Sequence, residues 1–223
     1  MIKKDIFQFL KELKKNNNRD WFNENRDTYK KVRTDFENFI EQVILEILKF
    51  DADSYTTAKD AVFRINNDLR FSKDKPPYKT NFGAYITGGG RKGITAGYYI
   101  HIEPGECFLA GGIYMPSSDV LKAVRTEIFE NYDEFESLVS DPEFVKNFGK
   151  NFWGERLKSA PRGFPPDFKG IDYLKYKHYT IARDVADSLV TGPRYLEETI
   201  SVFRSMFPFN TFINRAINES RVQ

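Results

Sequence analysis

A short basic segment in the first half of the chain carries the residues best suited to hold an anion. Two arginines, Arg64 and Arg70, bracket Asp68 at spacings of four and two residues. A carboxylate at this spacing can orient a guanidinium, and an oriented guanidinium binds phosphate or carboxylate through two parallel hydrogen bonds. Further cations and one tyrosine hydroxyl complete the predicted clamp: Lys73, Lys75, Tyr78 and Lys79. The segment therefore predicts a site for a phosphorylated or carboxylated small molecule.

The charge of the chain concentrates in the same region. Between Lys59 and Lys92 there are eight basic and three acidic residues, whereas the whole chain of 223 residues has 34 Lys and Arg against 32 Asp and Glu. Nucleic-acid-binding domains usually have a larger basic excess and a pI above about 9, and this chain has a pI near 8.4. The pattern favours one specific anionic ligand, with nucleic-acid binding as the weaker alternative.

The same residues also fit a structural role. Ile65, Leu69 and Phe71 are interleaved with the charged residues, so part of the segment must pack against the core. An internal ion-pair network would then pin this loop to the sheet, and structural networks use the same residue types as functional ones. The sequence leaves two interpretations open: an anion-binding protein, with or without enzymatic activity, and a non-catalytic interaction or structural module.

His101 is the candidate for proton transfer, because the ordinary pKa of histidine lies nearest to neutral pH. Successive side chains of a strand point to opposite faces, which places Tyr99, His101 and Glu103 together on the more polar face. We therefore add Tyr99 to the predicted ligand site and assign His101 the role of acid or base.

A tight turn over residues 103–106 sets the expected pairing of the strand that carries His101. Its Pro-Gly centre suits a type II turn, which places His101 opposite Phe108 and Tyr99 opposite Ala110. Small residues on the second strand predict a hollow beside His101 that a ligand would fill. The alternative is a histidine on the wetter side of the sheet that fills space beside Phe108.

No residue pattern predicts a metal, a cofactor or a disulfide. The chain has two histidines and a single cysteine, Cys107, which leaves too few ligands for a Cys-rich zinc site. The glycine-rich run 88–93 matches G-x-G-x-x-G, but a strand-like sequence follows it where a dinucleotide site needs a helix. We expect a mobile hairpin loop there; the alternative is a loop from which Arg91 and Lys92 reach over a ligand.

Hydrophobic periodicity predicts an α+β fold with a central antiparallel sheet and helices from both chain ends packed against it. We expect a single domain over 1–223 that is helical over 1–50, sheet-rich over 59–115 and helical over 117–220. The second helix is expected to begin at an N-cap Asp20 and to continue to Leu48. The predicted strands are 61–65, 82–87, 94–103, 107–115 and 179–184, and the later helices are 118–129, 132–139, 142–148, 186–190, 194–206 and 211–220.

The N-terminal sequence contains charges among its apolar residues. It therefore lacks the uninterrupted apolar stretch of a secretory signal, and no part of the chain has the roughly 18 apolar residues of a membrane span. We expect a cytoplasmic protein without a membrane partner, and the oligomeric state stays open.

The string RINNDLRFSKDKPPYK, residues 64–79, resembles the signature of a bacterial family of similar length catalogued as a domain of unknown function. That signature runs R-x-x-R-D-x-R-F and then through a Lys-, Asp- and Asn-rich stretch to Pro-Tyr-Lys; Asn67 stands where many members have arginine, which removes one positive charge. Further landmarks, among them Arg125 and 161–164, extend the resemblance over most of the chain. The resemblance implies one cytoplasmic α+β unit and no established activity. Arg125 and Arg162 are predicted to close the site from the C-terminal half.

Overall fold

The computed structural model describes residues 1–70 and 75–219. It shows an α+β fold with a four-stranded antiparallel sheet in the order β1-β2-β3-β4, which confirms the predicted fold class. The strands are β1 (Phe82–Ile86), β2 (Gly97–Ile102), β3 (Phe108–Ile113) and β4 (Tyr179–Asp184).

Helices precede and follow these strands. In the described part of the chain they are α1 (Lys4–Lys15), α2 (Arg19–Glu24), α3 (Arg26–Ile47), α4 (Ala58–Ala61), α5 (Ser118–Glu130), α6 (Tyr132–Ser140), α7 (Pro142–Phe148), α8 (Ile171–Leu174), α9 (Asp187–Val190) and α10 (Tyr195–Glu219). Two short 3-10 helices cover Ala52–Ser54 and Gly90–Lys92. None of the helices within 1–70 and 75–219 has the length and apolar character needed to cross a membrane.

The chain divides into two compact units, each assembled from three stretches. The first unit comprises Met1–Gly93, Tyr99–Leu109 and Asp184–Ser201, and the second comprises Ile94–Tyr98, Ala110–Arg183 and Val202–Gln223, of which 202–219 are described in the last stretch. The single domain expected over 1–223 stays a prediction.

In the first unit, apolar faces of α1 and α3 form the core with β1. The stripe expected on α1 is buried at Ile6, Phe9, Leu10 and Leu13. On α3, Phe36 stacks on Phe82 of β1 with ring centroids 5.3 Å apart. Each such fully buried side chain contributes about 1.5–3 kcal/mol of transfer free energy. This packing holds α1 and β1 in position beside the polar residues described below.

The long helix expected over 20–48 is interrupted. Its first turn is capped by Asn18, whose side chain accepts a hydrogen bond from Trp21 N, and Asn25 separates α2 from α3. The Asn25 amide donates to the carbonyl of Trp21 at 2.9 Å. This local side-chain bond competes with regular helical hydrogen bonding and accounts for the break at Asn25. Because the N-cap is Asn18, the assignment of Asp20 as the N-cap is wrong.

The strand expected over 61–65 is also not formed. Thr57 caps the short helix α4 instead, through a hydrogen bond from Asp60 N. Beyond α4, Val62 makes only an isolated bridge to Ala84. The capped helix α4 thus extends into the start of the stretch 61–65, whose composition favours β structure.

In the second unit, α10 joins two helices that we expected to be separate. It continues through Pro208, although proline removes one helical hydrogen bond. Beyond the proline, the buried Asn210 donates to Gly97 O at 3.1 Å and accepts from Gly112 N at 2.8 Å. Asn214 likewise bonds both backbone groups of Ala96. These amide pairs fix the C-terminal half of α10 and offset the cost of the proline.

Two glycines with positive φ make a matched test of strand packing. Gly112 on β3 has φ +96°, and a Cβ there would lie 1.9 Å from Tyr179 O on β4. Gly105 has φ +87° in the turn before β3, with nothing within 4 Å of the same position. We expect Gly105→Ala to cost roughly 1–2 kcal/mol from backbone strain, and Gly112→Ala to exceed that by about 2 kcal/mol or more. Urea unfolding measures both, and equal losses would contradict the close approach at Gly112.

Candidate functional site

The predicted clamp forms a short antiparallel hairpin, which we call the basic hairpin (residues 64–79). Its arms pair through Lys79 N to Ile65 O at 2.7 Å and Asn67 N to Pro77 O at 2.9 Å. Residues 71–74 are not described, so the predicted site residue Lys73 and the motif residue Phe71 lie outside the described residues. The pairing fixes the backbone of the two arms between Ile65 and Asn67 and between Pro77 and Lys79.

One arm of the basic hairpin presents its charged residues on a single face. Arg64, Asn66, Asp68 and Arg70 are exposed, whereas the intervening residues are buried or half-buried. This alternation has the period of an extended chain. It therefore places the two arginines and the aspartate on the same side of the hairpin.

Arg70 and Asp68 form a two-pronged ion pair on that face. The Arg70 Nε donates to Asp68 Oδ1 at 3.0 Å and Nη2 donates to Oδ2 at 2.6 Å. Hydrogen bonds from Arg70 hold the pKa of the Asp68 carboxyl well below its usual range, and the charge of Arg64 lowers it further. Because the pair is exposed, it contributes little to folding stability, but it holds the Arg70 guanidinium in one plane.

The base of the hairpin has a structural role. Lys79 Nζ donates to Arg64 O at 2.7 Å and to Asn66 O at 3.1 Å, which ties the two arms together. Burial lowers the pKa of Lys79, and the charge of Arg64 adds to this effect. Two of the predicted clamp residues, Lys79 and Tyr78, thus help to hold the hairpin in place.

Tyr78 packs into the core of the first unit. Its ring stacks on Phe22 with centroids 3.9 Å apart and planes 12° apart. Its backbone N donates to Asn17 Oδ1, and its carbonyl accepts from the Asn17 amide. These contacts fix the second arm of the hairpin against helix α2 and the residue Asn17 that precedes it.

The exposed cations of the basic region between Lys59 and Lys92 differ in whether they have partners. The side-chain nitrogens of Arg64 and Lys75 have no hydrogen bond or ion pair within residues 1–70 and 75–219. Arg91 of the glycine-rich run, in contrast, donates to the carbonyls of Lys59, Asp60 and Val62. Among the described residues, nothing therefore occupies the charged groups of Arg64 and Lys75, whereas Arg91 fastens its loop to α4.

A second group of polar side chains, which we call the β2 line, lies close to the residues that directly follow the hairpin. It consists of Tyr99, His101 and the adjoining Glu103. The Tyr99 hydroxyl lies 3.1 Å from His101 Nδ1, and His101 Nε2 lies 3.3 Å from Glu103 Oε2. The strand alternation predicted this shared face, and the structure brings all three side chains into one hydrogen-bonded row.

The charge of Glu103 determines which nitrogen of the neutral His101 ring carries the proton. An ionised carboxylate beside Nε2 requires a proton on that nitrogen, so Nδ1 of the neutral ring accepts from the Tyr99 hydroxyl. Asn81 Nδ2 also lies 3.3 Å from Nε2. Because Nε2 carries a proton, the Asn81 amide takes the orientation rotated by 180°, in which its oxygen accepts from Nε2. Both ring nitrogens therefore have partners inside the protein.

Glu103 is anchored by residues that come from three parts of the chain. Thr80 Oγ1 donates to Oε1 at 2.8 Å, and Lys14 Nζ on α1 approaches the same oxygen at 3.3 Å. Burial tends to raise the pKa of Glu103, but the hydrogen bonds from Thr80, His101 and Lys14 outweigh it and lower the pKa. Glu103 thus stays ionised although it is 9% exposed.

Burial dominates the other two members of the line. It raises the pKa of Tyr99 to about 12, and the charge of Glu103 acts in the same direction. It lowers the pKa of His101, although Glu103 partly offsets this effect. Phe108 covers one face of the imidazole, with ring centroids 4.5 Å apart and planes 12° apart. This arrangement favours the space-filling interpretation of His101, and its role as acid or base stays a prediction.

The two arginines expected to close the site belong to the second unit. Arg125 Nη2 donates to Tyr176 O at 3.0 Å, and its Nε is buried without a hydrogen-bond partner in the described part of the chain. Arg162 is exposed in the turn-rich stretch before α8. Their contribution to ligand binding stays a prediction.

A family model described as a conserved hypothetical protein, DUF2461, matches residues 5–212, which include the basic hairpin and the β2 line. The chain belongs to this family. No curated protein and no solved structure matches the chain. The family description names no activity, so the functional argument depends on the geometry of the two polar groups.

Sequence reasoning missed three residues that contact the β2 line. Thr80 and Asn81 directly follow the hairpin motif, and this adjacency is the signal that could have linked them to the site. Lys14 lies 89 residues from Glu103, and no local pattern distinguishes it from the other lysines of α1.

The β2 line predicts a loss of stability on acidification. Because the folded state lowers the pKa of His101 from its ordinary 6.5, the unfolded chain binds the proton more readily. The free energy of unfolding should therefore fall as the pH drops below about 6.5 and stop falling once folded His101 is protonated. Above that pH this group has no effect.

Urea unfolding at a series of pH values measures this dependence. His101→Asn should remove the slope just below pH 6.5, whereas Arg26→Ala, which changes an exposed residue of α3, should retain it. Glu103 acts in a separate window, because its lowered pKa withdraws stability only as the pH falls below its ordinary 4.5. An unchanged slope in the His101 variant would contradict the assignment.

Proposed function

We propose that the basic hairpin binds the phosphate or carboxylate group of a small molecule. The observation that carries the proposal is the shared exposed face on which Arg64 and Arg70 lie on either side of Asp68. Arg64 and Lys75 supply positive charge without a side-chain partner in the described part of the chain. Asp68 keeps the Arg70 guanidinium in a fixed plane, which suits recognition of a planar or tetrahedral anion.

The exposure of this site sets its expected strength. Charges in contact with water are screened, and each exposed ion pair contributes about 0–1 kcal/mol. Binding should therefore be modest and should weaken as ionic strength rises. A single small anion fits this arrangement better than an extended polyanion, because the positive residues are confined to one short hairpin.

The structural alternative is supported for the base of the hairpin only. Lys79 and Asn67 use their side chains to join the two arms, and Tyr78 is packed in the core. The exposed face has no such contacts from Arg64. We therefore assign a structural role to the base and a binding role to the exposed face.

The proposal describes binding and leaves catalysis as a prediction. A catalytic base needs a nitrogen that faces its substrate, and both nitrogens of His101 have internal partners. The proposal includes a cytoplasmic location, where phosphorylated metabolites are found. In support, Cys107 is a free buried thiol, and burial raises its pKa to about 12.

Phosphate titration tests the binding role. Inorganic phosphate followed by NMR chemical shifts should bind the wild type, and Arg64→Ala should weaken binding about fivefold, the equivalent of about 1 kcal/mol. Arg26→Ala removes an exposed arginine from α3 and serves as the matched control. Equal affinity in wild type and the Arg64 variant would overturn the proposal. Tight oligonucleotide binding that falls steeply with salt would support nucleic-acid binding instead.

Thermal unfolding separates the two parts of the hairpin. Asp68→Ala and Arg70→Ala should leave the Tm unchanged, because this ion pair is exposed. Lys79→Ala removes two hydrogen bonds to carbonyls and should cost about 1–2 kcal/mol. If Asp68→Ala were as destabilising as Lys79→Ala, the whole hairpin would have a structural role.

A further inference from the structure

Four neighbouring side chains of the second unit form an exposed group that we call the aromatic platform. They are Tyr114, Met115, Trp153 and His178, of which the first three are 56%, 67% and 59% exposed. The Tyr114 ring lies 5.7 Å from that of Trp153 and 4.9 Å from that of His178, measured between centroids. Large apolar side chains exposed together mark a binding surface more often than scattered ones do.

Regular backbone pairing holds the platform in place. Trp153 N donates to Thr180 O of β4 at 2.8 Å, and Thr180 Oγ1 donates to Ile113 O at the end of β3. Tyr114 and Met115 follow directly after β3. The exposed rings therefore project from the paired edge of a sheet, and binding need not order them first.

Met115 has an unfavourable backbone conformation at this point. Its φ is 49°, the only positive value for a non-glycine residue in the described chain. A backbone N–H bond from Met115 to His178 Nδ1, 3.0 Å long, holds this conformation. Strain of this kind persists only where the surrounding structure enforces it, and here it fixes the backbone of an exposed methionine directly after Tyr114.

The polar atoms of the platform are hydrogen-bond donors. Because His178 Nδ1 accepts from Met115 N, the proton of the neutral ring lies on Nε2. This Nε2–H, the Trp153 indole N–H and the Tyr114 hydroxyl have no partners among residues 1–70 and 75–219. The neighbouring charges of Lys177 and Glu155 pair with each other at 2.7 Å. The platform thus combines apolar ring surfaces with hydrogen-bond donors that have no partner in the described part of the chain.

We propose that the aromatic platform binds a proline-rich extended segment of a partner protein. A polyproline II chain presents apolar rings and backbone carbonyl acceptors, and proline has no N–H of its own. Such segments dock on exposed aromatic side chains that donate to their carbonyls. The donors and apolar surfaces of Trp153, Tyr114 and His178 complement both features. Stacked nucleic-acid bases would also need unpaired cations along the rings, and the nearby Lys177 is already paired.

A synthetic oligoproline of about ten residues, long enough for several turns of polyproline II, is the probe. Trp21→Phe leaves Trp153 as the only tryptophan, and its emission should change saturably when the probe is added. By calorimetry, Trp153→Ala should lower the affinity at least about tenfold, as loss of a central aromatic anchor does. Tyr55→Ala removes a tyrosine that is 69% exposed in the first unit and should leave the affinity unchanged.

A second variant separates binding from folding. Met115→Gly relieves the positive φ, so its Tm should equal or exceed that of the wild type. It should nevertheless bind oligoproline more weakly, because the thioether is lost. A variant that is at least as stable and binds less well is not explained by a structural role of Met115.

Four outcomes would overturn the proposal. The first is the absence of saturable oligoproline binding, and the second is equal affinity in wild type and Trp153→Ala. The third is self-association of the wild type that Trp153→Ala abolishes, which would make a second copy of the chain the occupant. Binding of single-stranded oligothymidine in preference to oligoproline would likewise replace the peptide with a nucleic acid.

Discussion

The ionised carboxylate of Glu103 is the constraint on which the first unit's polar architecture depends. A buried charge is tolerated only when it is paired and hydrogen-bonded, and Glu103 has Thr80, Lys14 and His101 as partners. Each partner comes from a different part of the chain: the residues just before β1, helix α1 and strand β2. Loss of any one would remove part of the compensation of a buried charge, so these elements must keep their mutual positions. The same charge also sets the position of the proton on the neutral His101 ring and the direction in which the Tyr99 hydroxyl donates.

The basic hairpin is joined to this network by chain continuity. Tyr78 and Lys79 end the hairpin at its structural base, and Thr80 and Asn81 contact the β2 line immediately afterwards. The exposed face of the hairpin therefore stands on a base that the core already holds. A rigid base allows a few exposed cations to recognise an anion without a large ordering cost. The motif therefore has two parts: a base held by Tyr78 and Lys79, and an exposed face that carries Arg64, Asp68 and Arg70.

Local patterns predicted much of the fold and failed where distant contacts decide. The helices predicted over 118–129 and 142–148 are formed as α5 and α7, which begin after side-chain caps at Ser117 and Asp141. Their starts depend on local sequence, because a cap is a short-range interaction. The continuity of α10 through Pro208 was missed, because it depends on Asn210 meeting strands more than 90 residues away in sequence.

The site shows the same division. The shared face of Tyr99, His101 and Glu103 follows from strand alternation alone, and the bracketing of Asp68 by arginines follows from spacing. The partition of the hairpin into base and exposed face does not follow from composition. It depends on which carbonyls Lys79 reaches and on how Tyr78 packs on Phe22, and both are tertiary contacts.

The two histidines of the chain show why residue type alone misleads. His101 has the environment that suggests catalysis, a tyrosine on one nitrogen and a carboxylate on the other, yet these partners use both nitrogens and Phe108 covers one face. His178 has one nitrogen committed to Met115 N, and its other nitrogen carries a proton beside exposed aromatic rings. Buried polar groups are normally satisfied, so a complete set of partners indicates structure. The Nε2 of His178, in contrast to both nitrogens of His101, has no partner in the described part of the chain.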